Sequence, residues 1–306
     1  MRPRRARRRW WAGAPQRVCA GALVLLVLLT GCMVPIPTVQ PLTVIDPVEE
    51  AQTLGLDGAS RAVVRLRLLS RTLSVRGIDA GDLLRGRFRY NVQEWAPNVR
   101  QETGAESTQV TVGQGLGSQI PLGRQDTYQN DWEIDLGRGI PLDLGIDMGA
   151  GEASLDLTGL WLSGLSVTSG STDLVLAFGA PNPEPLGSLQ LTAGAGRVTA
   201  TGLGHANFDQ LAVLGGAGAV DLDFSGAFHR SAMVDIKAGA GRVTVRVPAG
   251  IGSRVTLGGV SLGNVEVTGF AKQSDDVYVN SAYGQAPLTL TIKITTGVGS
   301  VSLISE

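Results

Sequence analysis

The feature that most constrains this chain is a glycine-marked turn that returns at near-regular spacing through its second half. The copies read GAGEASLDL from residue 149, GSTDLVLAF from 170, GAGRVTATG from 194, GAGAVDLDF from 216, GAGRVTVRV from 239, LGNVEVTGF from 262 and GVGSVSLIS from 297. Aligned on Gly151, Ser171, Gly196, Gly218, Gly241, Gly263 and Gly299, they are spaced by 20, 25, 22, 23, 22 and 36 residues. After each turn, apolar and polar residues alternate with the period of a half-buried strand. A unit of this kind cannot cover its own apolar side, so neighbours must stack. Val243, Val245 and Val247 are expected on Val220, Leu222 and Phe224. The pattern predicts an all-β fold: an elongated, β-solenoid-like stack of short two-strand repeats with glycine turns and a period of about 22. The alternative is a β-sandwich of hairpins, because short glycine loops also join antiparallel strands.

Composition agrees. Glycine makes up 42 of 306 residues, about twice the usual share of ~7%, while 43% of the chain remains hydrophobic. Such a chain folds, with many turns.

The amino terminus has a different character. Seven arginines and no acid precede an apolar run from Val18 to Leu29, which closes on Leu29-Thr30-Gly31-Cys32. This is the layout of a secretory signal peptide, and its last four residues resemble the bacterial lipobox, in which a cysteine receives the lipid. A run of about a dozen apolar residues is short for a spanning helix, which needs about 20. Residues 1–31 therefore read as a lipoprotein signal peptide, Cys32 as the lipid attachment site, and 32–58, with Pro35, Pro37, Pro41 and Pro47, as a Pro-rich tether. Residues 59–130 read as an amino-terminal β module and 131–306 as the glycine-punctuated repeat domain. The expected location is the outer face of the cytoplasmic membrane or the outer membrane. Without residues 1–31, 19 basic and 27 acidic residues remain, a net charge of about −8 that excludes nucleic acid as an expected partner.

Charge is also unevenly placed. Residues 61–100 hold nine arginines and three acids, whereas 101–306 hold 10 basic and 20 acidic residues. Arg65 and Arg67 share one strand face, and Arg85, Arg87 and Arg89 share another. They are candidates for contact with an anionic ligand such as a lipid phosphate or a wall polymer. The competing reading is that they pair with acids on adjacent strands.

Asn130 to Phe178, NDWEIDLGRGIPLDLGIDMGAGEASLDLTGLWLSGLSVTSGSTDLVLAF, resembles the bacterial toast-rack family, as does LLRGRFRYN at 83–91. The resemblance implies stacked β structure and kinship with domains of cell-wall-active-antibiotic response proteins, and it brings no catalytic residues. At Leu69-Ser70-Arg71 the chain departs from the glycine turn the family would place there.

Catalytic signals are weak. Gly259-Val260-Ser261-Leu262-Gly263 has the spelling of a nucleophile elbow, yet both histidines, His205 and His229, precede it and no helix pattern follows. Asp221 and Asp223 share a face, as an acid/base pair of a carbohydrate-active enzyme would, but aromatic platforms for sugar are few. Neither a metal nor a cofactor is expected, since soft ligands are missing. The expectation is a non-enzymatic module that binds or senses an envelope polymer or protein. A structural spacer or adhesive scaffold is the alternative, and an enzyme ranks below both.

Overall fold

The computed structural model describes residues 42–69, 71–79, 81–115, 127–259 and 261–306. The signal peptide and Cys32 lie outside them, as do Pro35, Pro37 and Pro41 of the expected tether. Strands are numbered in chain order. The first seven are β1 Val44–Gly55, β2 Arg61–Leu68, β3 Thr72–Ile78, β4 Asp82–Val92, β5 Asn98–Thr103, β6 Ser107–Gly113 and β7 Asn130–Gly137. Five strands of 16 or 17 residues follow: β8 Pro141–Asp156, β9 Trp161–Ala177, β10 Leu186–Thr201, β11 Phe208–Asp223 and β12 Ala232–Val247. Then come β13 Gly252–Gly258, β14 Ser261–Thr268, β15 Phe270–Ser274, β16 Val277–Asn280 and β17 Thr289–Ser305.

The long strands pair in parallel, β8 to β9, β9 to β10, β10 to β11, β11 to β12 and β12 to β17. They cannot be straight. Sixteen residues of strand would extend ~50 Å, yet only Leu157–Leu160 join the end of β8 to Trp161, which stands in register with Pro141 at the start of β8. Four residues cannot span that distance, so each strand bends back on itself. Phe208 opens β11 and Phe224 follows its end, and their rings meet at 6.4 Å. Each bent strand is one rung of the stack, with a first and a second half facing each other across a single apolar core.

The bend falls at the glycines. Gly151, Thr172, Gly196, Gly218, Gly241 and Gly299 stand in one register column, and its glycines have positive φ, from 106° at Gly196 to 157° at Gly299. At Gly241 the carbonyl oxygen of Gly218 occupies the place where a Cβ would stand. Here glycine is required both by the backbone conformation and by the close approach of the rung below. The expected turn between two strands is thus a corner inside one continuous strand. The column also corrects two positions of the sequence alignment. Thr172, not Ser171, occupies the second place, and Gly263 sits in an irregularity where Leu262 and Asn264 pair with Gly299 and Ser300.

Val220 pairs with Val243 and Leu222 with Val245, all buried, as the stacked reading requires. Chain order and stack order part at the carboxyl end. β17 lies between β12 on one side and β13 and β14 on the other, while β16 and β15 extend the first-half sheet beyond β13. The 36-residue interval is this excursion and return.

At the other end, β2 and β3 pair with the first and second halves of β8, forming a rung split at Leu69–Arg71. β6 and β7 form the next rung on top of it. β5 then closes the first-half sheet, and β4 and β1 close the second, all antiparallel. Val44–Gly55 is therefore an edge strand rather than a spacer. Its backbone pairs with β4 from Val44 to Gly55, and Glu94 fixes its start by accepting from the Thr43 hydroxyl at 2.8 Å.

Candidate binding surface

Because the rungs are in register, outward-facing residues form straight rows across them. On the second-half sheet one row runs Ser74, Ser154, Val175, Thr199, Asp221, Thr244, Ser302 and Glu266, of which Thr244 is buried at 6% exposure. Strand spacing sets its repeat at ~4.8 Å. Asp221 thus belongs to an open sheet face, and Asp223 accepts the Ser225 N–H at 2.8 Å. Ser261 opens β14 with Val298 as its register partner.

The five arginines singled out in the sequence do face outward, and each meets a carboxylate. Arg65 grips Asp143 through both terminal nitrogens, at 3.1 Å each. Arg67 reaches Asp147 at 3.7 Å and Arg85 reaches Asp82 at 2.7 Å. Arg87 meets Glu133 at 3.1 Å, and Arg89 bridges Glu49 at 3.4 Å and Glu133 at 3.8 Å. Beside them Arg76 and Asp135 lie 2.6 Å apart, and this contact raises the arginine pKa further. The pairs link β1, β4, β7 and β3 into a ladder whose arginine side chains remain about half exposed. The polarity seen in sequence is local: apart from Asp82 of β4 itself, the acids come from β1, β7 and β8, which the fold sets beside β4, β3 and β2. Trp161 is 37% exposed at the start of β9.

A groove of about 660 Å³ opens beside the corner column where the split rung meets it, lined by Arg71, Thr72, Asp131, Glu152 and Asp173. Glu152 and Asp173 are register neighbours, and Asp173 accepts the Arg197 N–H at 3.0 Å. Among the described residues no group of three or more His, Cys, Asp or Glu is placed to hold a metal ion.

Sequence reasoning missed the asparagines that secure the return loops. Asn182 accepts from the Leu162 N–H at 3.0 Å and donates to the carbonyls of Leu162 and Ala206 at 2.8 and 3.2 Å. Asn207, in the left-handed region at φ 57°, donates to Asn182 and Glu184. At the far end Asn280 accepts from Ser253 and donates to Ile251, both at 2.8 Å. The available signal was an asparagine between prolines at Pro181-Asn182-Pro183, where a side chain replaces backbone pairing.

No curated protein matches the chain. Solved structures do. A proposed cell adhesion protein from Clostridium sporogenes is 22% identical, with 85% of this chain and 100% of that one covered and a TM-score of 0.47. A proposed adhesin from Parabacteroides distasonis is 11% identical over 85% and 98% of the two chains, with a TM-score of 0.39. A proposed lipid-binding protein from the same organism is 10% identical over 84% and 96%, with a TM-score of 0.28. Residues 45–185 match the family model described as the N-terminal domain of toast_rack, DUF2154. That span runs from β1 to the residue before β10, taking in the ion-pair ladder, the split rung and the first two long rungs. It includes the Asn-Asp-Trp start, the Ile-Pro-Leu-Asp-Leu strand and the first glycine corner, and residues 45–185 accordingly belong to the toast-rack family as its N-terminal domain.

Proposed function

We propose that the chain is an exported lipoprotein, anchored through Cys32, that serves as a non-enzymatic binding module of the cell envelope. The lipobox-like end of the signal segment supports the anchor. The observation that carries the binding role is the row geometry: Ser154, Thr199 and Ser302 offer hydroxyls on one open face in register across the rungs. Side chains recurring at the strand spacing of ~4.8 Å suit a repetitive polymer better than a single small molecule. The half-exposed guanidinium groups of Arg85, Arg87 and Arg89 on the same sheet keep donors free for anionic groups of such a polymer.

The ion pairs favour a second reading, a structural spacer, because carboxylates already engage these arginines. Co-sedimentation with purified wall polymer separates the two. Under the binding reading, the triple change of Arg85, Arg87 and Arg89 to alanine weakens binding at least tenfold while the fold, followed by circular dichroism, persists. Unchanged sedimentation removes the arginines from the role, and no sedimentation of the unaltered protein favours the spacer.

A further inference from the structure

The outer face of the first-half sheet changes character along the stack. From β2 to β10, apart from the exposed Trp161 at the start of β9, it bears mainly ion pairs and hydroxyl or amide side chains, Arg65 with Asp143, then Ser166 and Gln190. From β11 onward the same rows set Leu214 beside Lys237, Asp235 beside Lys293, and Met233 and Arg254 on either side of Thr291. Leu214 is 52% and Met233 62% exposed, unusual for such residues on a sheet face that is otherwise mostly polar. The acid of this patch is engaged, since Lys237 lies 3.3 Å from Asp235. Among the described residues, no carboxylate lies within ion-pair distance of Lys293 or Arg254.

We propose that this face docks on an anionic lipid surface, with Leu214 and Met233 entering the interfacial layer and Lys237, Lys293 and Arg254 among lipid phosphates. Strand and residue spacings make the patch about 15 Å on a side. Its area of roughly 200 Å² falls well short of the ~800 Å² per partner that a stable protein interface needs. A membrane has no such requirement, because a lipid anchor supplies the proximity. Fully extended, the chain from Cys32 to Val44 reaches ~40 Å at most, so an anchored molecule has room to lie down on this face. The mature chain is net acidic, so local cations set the orientation.

The context rests on the lipoprotein reading, but the face can be tested without the lipid, since β1 to β17 close one core on their own. Residues 42–306 are sedimented with vesicles of phosphatidylcholine alone or mixed with phosphatidylglycerol. Binding is expected on the mixed vesicles, falling about fivefold for Lys293→Ala and again for Arg254→Ala, and on the order of tenfold for Met233→Ser. Val44→Ser, exposed on edge strand β1 at the capping end, should change nothing. In the full lipidated chain reconstituted in the same mixed vesicles, an environment-sensitive dye on Met233→Cys should shift to the blue. No vesicle binding together with an unshifted dye overturns the proposal, as does binding indifferent to phosphatidylglycerol and to these variants. Mass spectrometry finding no lipid on Cys32 would sink the anchor while leaving the vesicle result standing.

Discussion

The glycine rungs β8 to β12 with β17, and the capping end built from β1 to β7, cover one core by different means. In the rungs, backbone approaches backbone: the corner column brings the Gly218 carbonyl against Gly241, and parallel pairing runs along each strand, with one register shift at Leu142–Asp143 between β8 and β9. At the capping end the rungs are split and the outer pairings are antiparallel. Side chains do the joining, with Phe88 edge-on to Trp132 at 4.9 Å and Trp132 donating to Asn130 at 3.0 Å. The arginine ladder crosses the outside. The comparison teaches that the repeat tolerates little change at its corners, whereas the cap distributes its cohesion over many replaceable contacts.

That contrast can be broken most directly at Gly241. Gly241→Ala puts a methyl group where the Gly218 carbonyl stands, at φ 139°, and should cost about 4 kcal/mol in urea unfolding. Gly250→Ala, with nothing within 4 Å of the new carbon, should cost under ~1 kcal/mol. Equal effects would mean that the corners are not rigid.

The return loops test whether side chains also matter within the rungs. Asn182→Ala strands the Leu162 N–H and C=O and the Ala206 C=O in a buried setting, for an expected loss of about 2–3 kcal/mol. Arg87→Ala in the ladder should cost about 0.5 kcal/mol or less, and added salt should shrink even that, because both partners are about half exposed. A larger loss would show that the ladder acts as a cooperative network.

The smallest effect concerns pH. The Thr43 hydroxyl and N–H bind the Glu94 carboxylate and hold its pKa below the ordinary carboxyl value. The folded state thus prefers the charged form, so this contribution is complete above the ordinary carboxyl range and disappears as pH falls through the lowered value. Amide exchange at the start of β1 should quicken on acidification, and Glu94→Gln should remove most of that dependence.

Much of the architecture was legible because strand alternation and glycine corners are local. Leu142, Leu144, Ile146 and Met148 declare an inward face by spacing, and the structure buries all four. The candidate arginines were also placed on the correct faces by alternation, since Val64, Leu66 and Leu68 between them had to point inward. Their partners were not legible. Arg65 and Asp143 are 78 residues apart, and no local pattern states that β2 lies on β8. Leu214 and Met233 drew no notice for the same reason, since each is isolated in sequence and joins Lys293 and Arg254 only through register.

By itself the sequence determined that the chain is β, that its rungs bend where glycine relieves a steric cost no other residue can escape, and which residues face the core. Only the tertiary structure decided the order of the rungs. β17 inserts between β12 and the β13–β14 rung because a strand buried on both edges satisfies its backbone on both sides, a preference that depends on which edges remain open once the others have folded. The same long-range pairing turned Val44–Gly55 of the apparent spacer into edge strand β1 and an apparent basic patch into a ladder of ion pairs.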